Sequence, residues 1–180
     1  MRRLTRRTWG ISLLAAGSGL GACKRRKREQ VETIEDPFQL RSTIVTSDPK
    51  SAVQLVSGFY GIEYNAWRWS AGKFEVNLRP PADSAQKGAN LIVRFSVPKP
   101  VLDKLGTIQL TATAGDRTIG TEQYSMPGEH VFRKPVPAEL LAGDSVIFRF
   151  ALDKSLAPGT IDQRELGVIV MSIGLEKAGG

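Results

Sequence analysis

Lys73-Phe74-Glu75-Val76-Asn77-Leu78-Arg79 alternates without a break between apolar and polar side chains. On a strand, successive side chains point to opposite faces, so Phe74, Val76 and Leu78 share one side and the polar residues the other. A helix would scatter the same residues around its circumference. Pro80-Pro81 closes the segment, because proline has no amide hydrogen to give to a sheet ladder.

The same period recurs outward along the chain. Leu91, Val93, Phe95 and Val97 form one face of a second strand, ended by Pro98 and Pro100. Residues 107–114 alternate again, reach Gly115-Asp116, a hairpin-type turn, and return as 117–124. Residues 129–136 form another short strand, and 144–152 set Val146, Phe148 and Phe150 inward with Arg149 outward. Residues 166–175 are apolar on both faces at their centre, which predicts a strand buried between neighbours. Residues 53–56 make a short apolar strand. The one helical moment is 137–143, with Pro137 at a helix-start position and Gly143 after a single turn. About eight strands at roughly ten-residue spacing predict an all-β fold, an antiparallel, jelly-roll-like β-sandwich with one short helical turn.

Next to the first of these strands lies the densest aromatic stretch, Gly58-Phe59-Tyr60-Gly61-Ile62-Glu63-Tyr64-Asn65-Ala66-Trp67-Arg68-Trp69-Ser70. Trp67 and Trp69 are two apart and face the same way on a strand, with Arg68 opposite. The stretch is either the aromatic floor of the core or the rim of a ligand site. Residues 40–46 carry a similar pair of readings, the end of a polar linker or a first strand at a sheet edge.

The N-terminus belongs to export rather than to the fold. Arg2, Arg3, Arg6 and Arg7 form a basic region, and residues 9–22 an apolar run far short of the ~20 residues a spanning helix needs. Leu20-Gly21-Ala22-Cys23 resembles the lipobox of bacterial lipoprotein signal peptides, which implies diacylation of Cys23. Thr5-Arg6-Arg7-Thr8-Trp9 resembles a twin-arginine export signal. Cys23 is the only cysteine, so no disulfide forms within the chain. The expected organisation is a signal peptide at 1–22, lipidated Cys23 with a basic run and linker at 23–51, a sandwich domain at 52–177 and a tail at 178–180.

The formal charge of +7 would suggest nucleic acid were it not for its distribution. Nine of the 25 basic residues lie at or before Arg28, which leaves 16 basic against 18 acidic side chains, a balance of −2 for the rest. Beyond Arg28 no more than two basic residues stand together, so no phosphate-tracking groove is expected and nucleic acid is not a partner. Lys24, Arg25, Arg26, Lys27 and Arg28, next to a lipidated cysteine, would lie at headgroup level and supply the second half of a two-signal membrane anchor.

No catalytic apparatus stands out. His130 is the sole histidine, no Gly-x-Ser-x-Gly elbow is present, and no acidic loop has calcium spacing. Glu63, Glu75, Asp162 and Glu165 have no diagnostic spacing. No metal and no cofactor are expected. Tyr60, Glu63, Trp67, Arg68 and Trp69, with Asp162 and Arg164 from the polar stretch 159–167, combine ring faces with charged groups. A sugar site needs both. The alternative is structural: both tryptophans fill the core while Arg68 and Asp162 form an ion pair that pins the loop.

Gly58-Phe59-Tyr60 with Glu63, Trp67-Arg68-Trp69, Pro137-Ala138-Glu139-Leu140-Leu141 and Asp162-Gln163-Arg164-Glu165-Leu166-Gly167 through Ile173 resemble small β-sandwich modules of bacterial cell-surface glycan systems, including modules attached to glycosyltransferases. The likeness covers residues 53–176, and no transferase domain is expected beside it. The expectation is therefore a non-enzymatic, exported lipoprotein of the cell envelope, on the periplasmic face of the outer membrane in a Gram-negative cell. Carbohydrate binding comes first, protein interaction within an envelope complex second, and hydrolysis third.

Overall fold

The alternating stretch that opened the sequence analysis is the second half of β3 (Trp67–Leu78), the longest strand in a computed structural model that describes residues 39–160 and 162–178. Cys23 and the basic run 24–28 lie outside the described residues. Phe74, Val76 and Leu78 are fully enclosed, as their period demands.

Nine strands are present among the described residues: β1 (Thr43–Val45), β2 (Leu55–Glu63), β3, β4 (Ala89–Val97), β5 (Ile108–Ala114), β6 (Arg117–Tyr124), β7 (Gly128–Val136), β8 (Val146–Leu152) and β9 (Ile169–Lys177). All their pairings are antiparallel, in the order β6-β5-β8-β3-β9-β4-β7, with β2 beside β3 and β1 beside β9. The chain is an all-β antiparallel sandwich. β3 joins its two layers: residues 73–78 pair with β8, whereas Arg68 and Trp69 pair with Val170 and Ile169 of β9.

Between the layers the strands contribute Phe74, Phe148 and Phe150 from one side and Leu91, Phe95, Phe132 and Ile173 from the other, all at most 1% exposed. Phe74 stacks on Phe150 with ring centroids 4.8 Å apart, and Phe59 meets Phe74 edge-on at 5.3 Å. At about 1.5–3 kcal/mol for each large apolar side chain enclosed, this core supplies most of the drive to fold. β9 is central, with β4 along one edge and β3 then β1 along the other. A register shift on its β4 side changes which face is inward, so Val170 and Ile173 are both enclosed. That explains a sequence apolar on both faces.

Residues 40–46 realise the strand reading, as β1. The stretch 58–70 is a hairpin and not one strand. β2 ends at Glu63, and β3 begins opposite it at Trp67. Helical structure exceeds the single expected turn: α1 (Ser84–Lys87) and α2 (Lys99–Leu105) accompany 3-10 turns at Pro49–Gln54 and Ala138–Leu141. Pro98 ends β4, as expected, but it also caps α2, whose first turn holds Pro100.

The sandwich has two distinct poles. One carries the β2–β3 turn, α2 and the loop from β8 to β9. At the other, Arg79 at the end of β3 donates to the Arg41 carbonyl, and Leu175 donates to the Ser42 carbonyl. The described chain thus enters at the pole opposite α2. Gln54, fully enclosed, secures this entry by accepting from the Arg41 amide at 2.9 Å and donating to the carbonyls of Arg41 (3.0 Å) and Asn77 (2.7 Å).

Candidate functional site

The aromatic stretch reaches the surface through a four-residue turn, closed by the Ala66 amide donating to the Glu63 carbonyl at 3.0 Å. Its central residues, Tyr64 and Asn65, sit at φ 51° and 55°. Two successive left-handed residues are what a tight hairpin turn matching strand twist requires. Asparagine tolerates that conformation; a bulky tyrosine does so at a cost of about 1–3 kcal/mol. The result is a tyrosine ring 84% exposed at the pole. Trp67 lies beside it, with centroids 5.3 Å apart and planes tilted 41°.

The two tryptophans divide the alternatives between them. Trp69 packs against the margin of the core. Trp67, at the turn, is half-buried and forms a platform with Tyr64, its indole Nε1 enclosed without a partner among the described residues. Arg68 is on the opposite face and is already engaged. Its Nε donates to the Thr46 carbonyl and its Nη1 to the Tyr60 carbonyl, both at 2.8 Å. The Arg68–Asp162 pair of the structural alternative does not form, because the guanidinium is held against backbone between β1 and β2.

Asp162 instead pairs with Arg164, two residues along the same loop. Arg164 Nε reaches Asp162 Oδ1 at 3.0 Å and Nη2 reaches Oδ2 at 2.8 Å, a bidentate clamp. Arg164 Nη1 crosses to Glu63 Oε1 on the hairpin at 2.7 Å, and its guanidinium lies over the Tyr60 ring at 5.0 Å. One arginine thereby joins the loop to the hairpin. Hydrogen bonds from the Arg164 side chain and backbone hold the Asp162 carboxyl down to about 2. The same contacts, with Asp162 first and Glu63 second, push the Arg164 guanidinium further up.

The loop that presents these groups is itself closed. Leu156 and Leu166 exchange backbone hydrogen bonds at 2.8 and 2.9 Å, and Ser155 Oγ donates to Glu165 Oε1 at 2.5 Å. Gly159 donates to the Asp162 carbonyl, and Gln163 Nε2 returns to the Gly159 carbonyl at 2.6 Å. Where the loop rejoins the sheet, Gly167 runs so close to β3 that a Cβ would lie 2.6 Å from the Ala71 carbonyl oxygen. Between α2 and this loop lies an open groove of about 520 Å³, whose lining mixes apolar Pro100, Leu156, Ala157 and Leu166 with charged Lys104, Asp162 and Arg164.

Tyr60, Glu63, Asp162 and Arg164 thus come together and Trp67 stands next to them, whereas Arg68 is held to backbone on the opposite face and Trp69 packs against the margin of the core. Tyr64, Lys104 and the apolar groove residues were not in the expected set. The signal for Tyr64 was the Asn beside it between two apolar runs, a turn pattern. Nothing in the sequence pointed to α2 as a groove wall. Chemically the cluster suits recognition: a carboxyl held near 2 stays ionised and is no general acid at neutral pH. Glu75 is occupied by Arg149 at 3.4 Å, and His130 Nε2 by the Met126 carbonyl at 2.8 Å.

No protein-family model matches this chain, and no curated protein does. Solved structures align with it at low identity. A carbohydrate-binding module CBM36 in complex with calcium and xylotriose has 12% identity and a TM-score of 0.40, covering 74% of this chain and 98% of that one. The CBM36-1 domain of a multidomain xylanase from the hindgut metagenome of Trinervitermes trinervoides has 12% identity and a TM-score of 0.44, covering 77% and 98%. An acetyl xylan esterase from Butyrivibrio proteoclasticus has 11% identity and a TM-score of 0.42, covering 79% of this chain and 34% of that one.

Proposed function

We propose that the pole formed by the β2–β3 turn and the β8–β9 loop is a carbohydrate-binding surface, and that the protein binds without catalysis. The observation that carries this reading is the exposed Tyr64 ring beside Trp67, next to Glu63 and the Arg164–Asp162 clamp. Ring faces take the C–H side of a pyranose, and fixed charged groups take its hydroxyls. Strain at Tyr64 supports it, since backbone held in a sparsely populated region is concentrated at functional sites.

A glycan array followed by calorimetry tests the reading. Tyr64→Ala should lower affinity for the retained glycan at least about tenfold, equivalent to about 1.4 kcal/mol, with an unchanged melting temperature. Retention of no glycan by the wild-type protein would remove the proposal, as would a Tyr64→Ala variant that binds normally. A second reading, protein interaction, rests on exposed Val53 and Val56 near the outer edge of β2. It predicts that Val56→Lys abolishes co-purification of an envelope partner while glycan binding persists.

Anchorage through acylated Cys23 and the basic residues 24–28, in the cell envelope, belongs to the same proposal. Mass spectrometry of the mature N-terminus should find a diacylglyceryl group on Cys23, and Cys23→Ala should release the protein from membranes.

A further inference from the structure

We propose that the groove between α2 and the loop 156–166 is the second half of the same binding surface, so that the ligand is an extended, uncharged oligosaccharide lying across Arg164. This inference rests on the carbohydrate reading and adds a ligand class and a second subsite to it. The two regions share residues. Asp162 and Arg164 line the groove, while Arg164 Nη1 grips Glu63, whose strand partner is Trp67 of the aromatic platform. A ligand lying along this line meets Tyr64 and Trp67, then the Arg164 bridge, then the groove.

The groove's size and lining fit one end of such a chain. Its volume of about 520 Å³ lies in the range of small-molecule sites, about 300–1,000 Å³. The apolar lining residues Leu156, Leu166, Ala157 and Pro100 carry no aromatic ring, so a sugar here packs against aliphatic carbon instead of stacking on an aromatic face. The bridge favours an uncharged ligand. Lys104 and Arg164 balance Asp162 and Glu63, two charges of each sign, and three of the five Arg164 donors are already spent on the carboxylates. The remaining donors and the outer lone pairs of the carboxylates suit hydroxyl groups. A uronic acid would set its own carboxylate against Asp162, which stays ionised down to about pH 2.

Calorimetric titration with xylo-, cello- and manno-oligosaccharides from disaccharide to hexasaccharide, and with oligogalacturonate as the acidic counterpart, tests this. Affinity should rise with length and favour the neutral series. Ala157 is exposed, so Ala157→Trp can fill the groove without disturbing the core. That variant should lose at least about tenfold for the hexasaccharide, or 1.4 kcal/mol, and keep its disaccharide affinity, whereas Tyr64→Ala should weaken every length. Length-independent binding that Tyr64→Ala abolishes, hexasaccharide affinity unchanged in Ala157→Trp, or preference for oligogalacturonate would each overturn the inference and leave the carbohydrate reading standing. No binding of any saccharide would overturn both.

Discussion

Replacing Arg68 with methionine separates a positioning arginine from a ligand-binding one. The substitution keeps the aliphatic stem, so packing changes little. It removes two charge-assisted hydrogen bonds of 2.8 Å, to the carbonyls of Thr46 and Tyr60. Such bonds contribute about 1.5–3 kcal/mol each when fully sheltered. Arg68 is half-buried and water can replace part of both bonds, so the expected loss is about 2–3 kcal/mol. For a domain of this size that is a fall in melting temperature of about 5–10 °C. Urea denaturation followed by tryptophan fluorescence, which reports the environments of Trp67 and Trp69, gives the stability directly. Glycan affinity of the folded variant should stay within about threefold of wild type, less than 1 kcal/mol. A stability change under 0.5 kcal/mol combined with lost binding would refute the argument and return Arg68 to the ligand.

Gln54→Ala should cost about 2–3 kcal/mol, because it leaves the Arg41 amide and the Asn77 carbonyl without their side-chain partner at a partly enclosed site, while the Arg41 carbonyl keeps the Arg79 amide; denaturant midpoints measure it. Gly58→Ala should lose about 3 kcal/mol or more and can prevent folding, since Gly58 sits at φ +74° and a Cβ would lie 2.0 Å from the Lys73 carbonyl oxygen; the melting temperature or soluble yield reports it. The Asp162 carboxyl is depressed in the folded state, so its contribution to stability is present above the ordinary carboxylate range and is lost only as pH falls from about 4 towards 2. A carboxyl-carbon NMR titration should give a midpoint near 2 for Asp162; a midpoint near 4 would mean the Arg164 clamp is not formed in solution.

Alternation carried the sandwich into view before any coordinates. Phe74, Val76 and Leu78, or Phe148 and Phe150, have no other arrangement that hides them and exposes their neighbours. Gly115-Asp116 likewise named its turn, with Gly115 at φ +57° between β5 and β6. The hairpin at Tyr64-Asn65 was hidden because its turn contains no glycine, and the surrounding aromatics read as continuous strand. Helix α2 was hidden by an ambiguity of proline, which stops a strand and starts a helix with the same locked φ.

The site was legible in composition but not in pairing. Glu63, Asp162 and Arg164 were visible as charged groups near aromatics. That Arg164 would take both carboxylates while Arg68 turned to backbone depended on a fold that brings residues 101 positions apart to 2.7 Å. Local spacing holds no record of such a distance.

The chain's entry at the pole opposite α2 has a mechanical corollary. A load applied between the Tyr64 pole and Gln39 runs through the sandwich from end to end. That tension reaches the entry through β1, held to β9 by three register pairs and by flanking bonds at Ser42 and Thr46, while the Gln54 clasp ties residue 41 to β3. The shortest described strand is therefore the coupling to the entry, and a load along its length is shared in shear by its hydrogen bonds to β9.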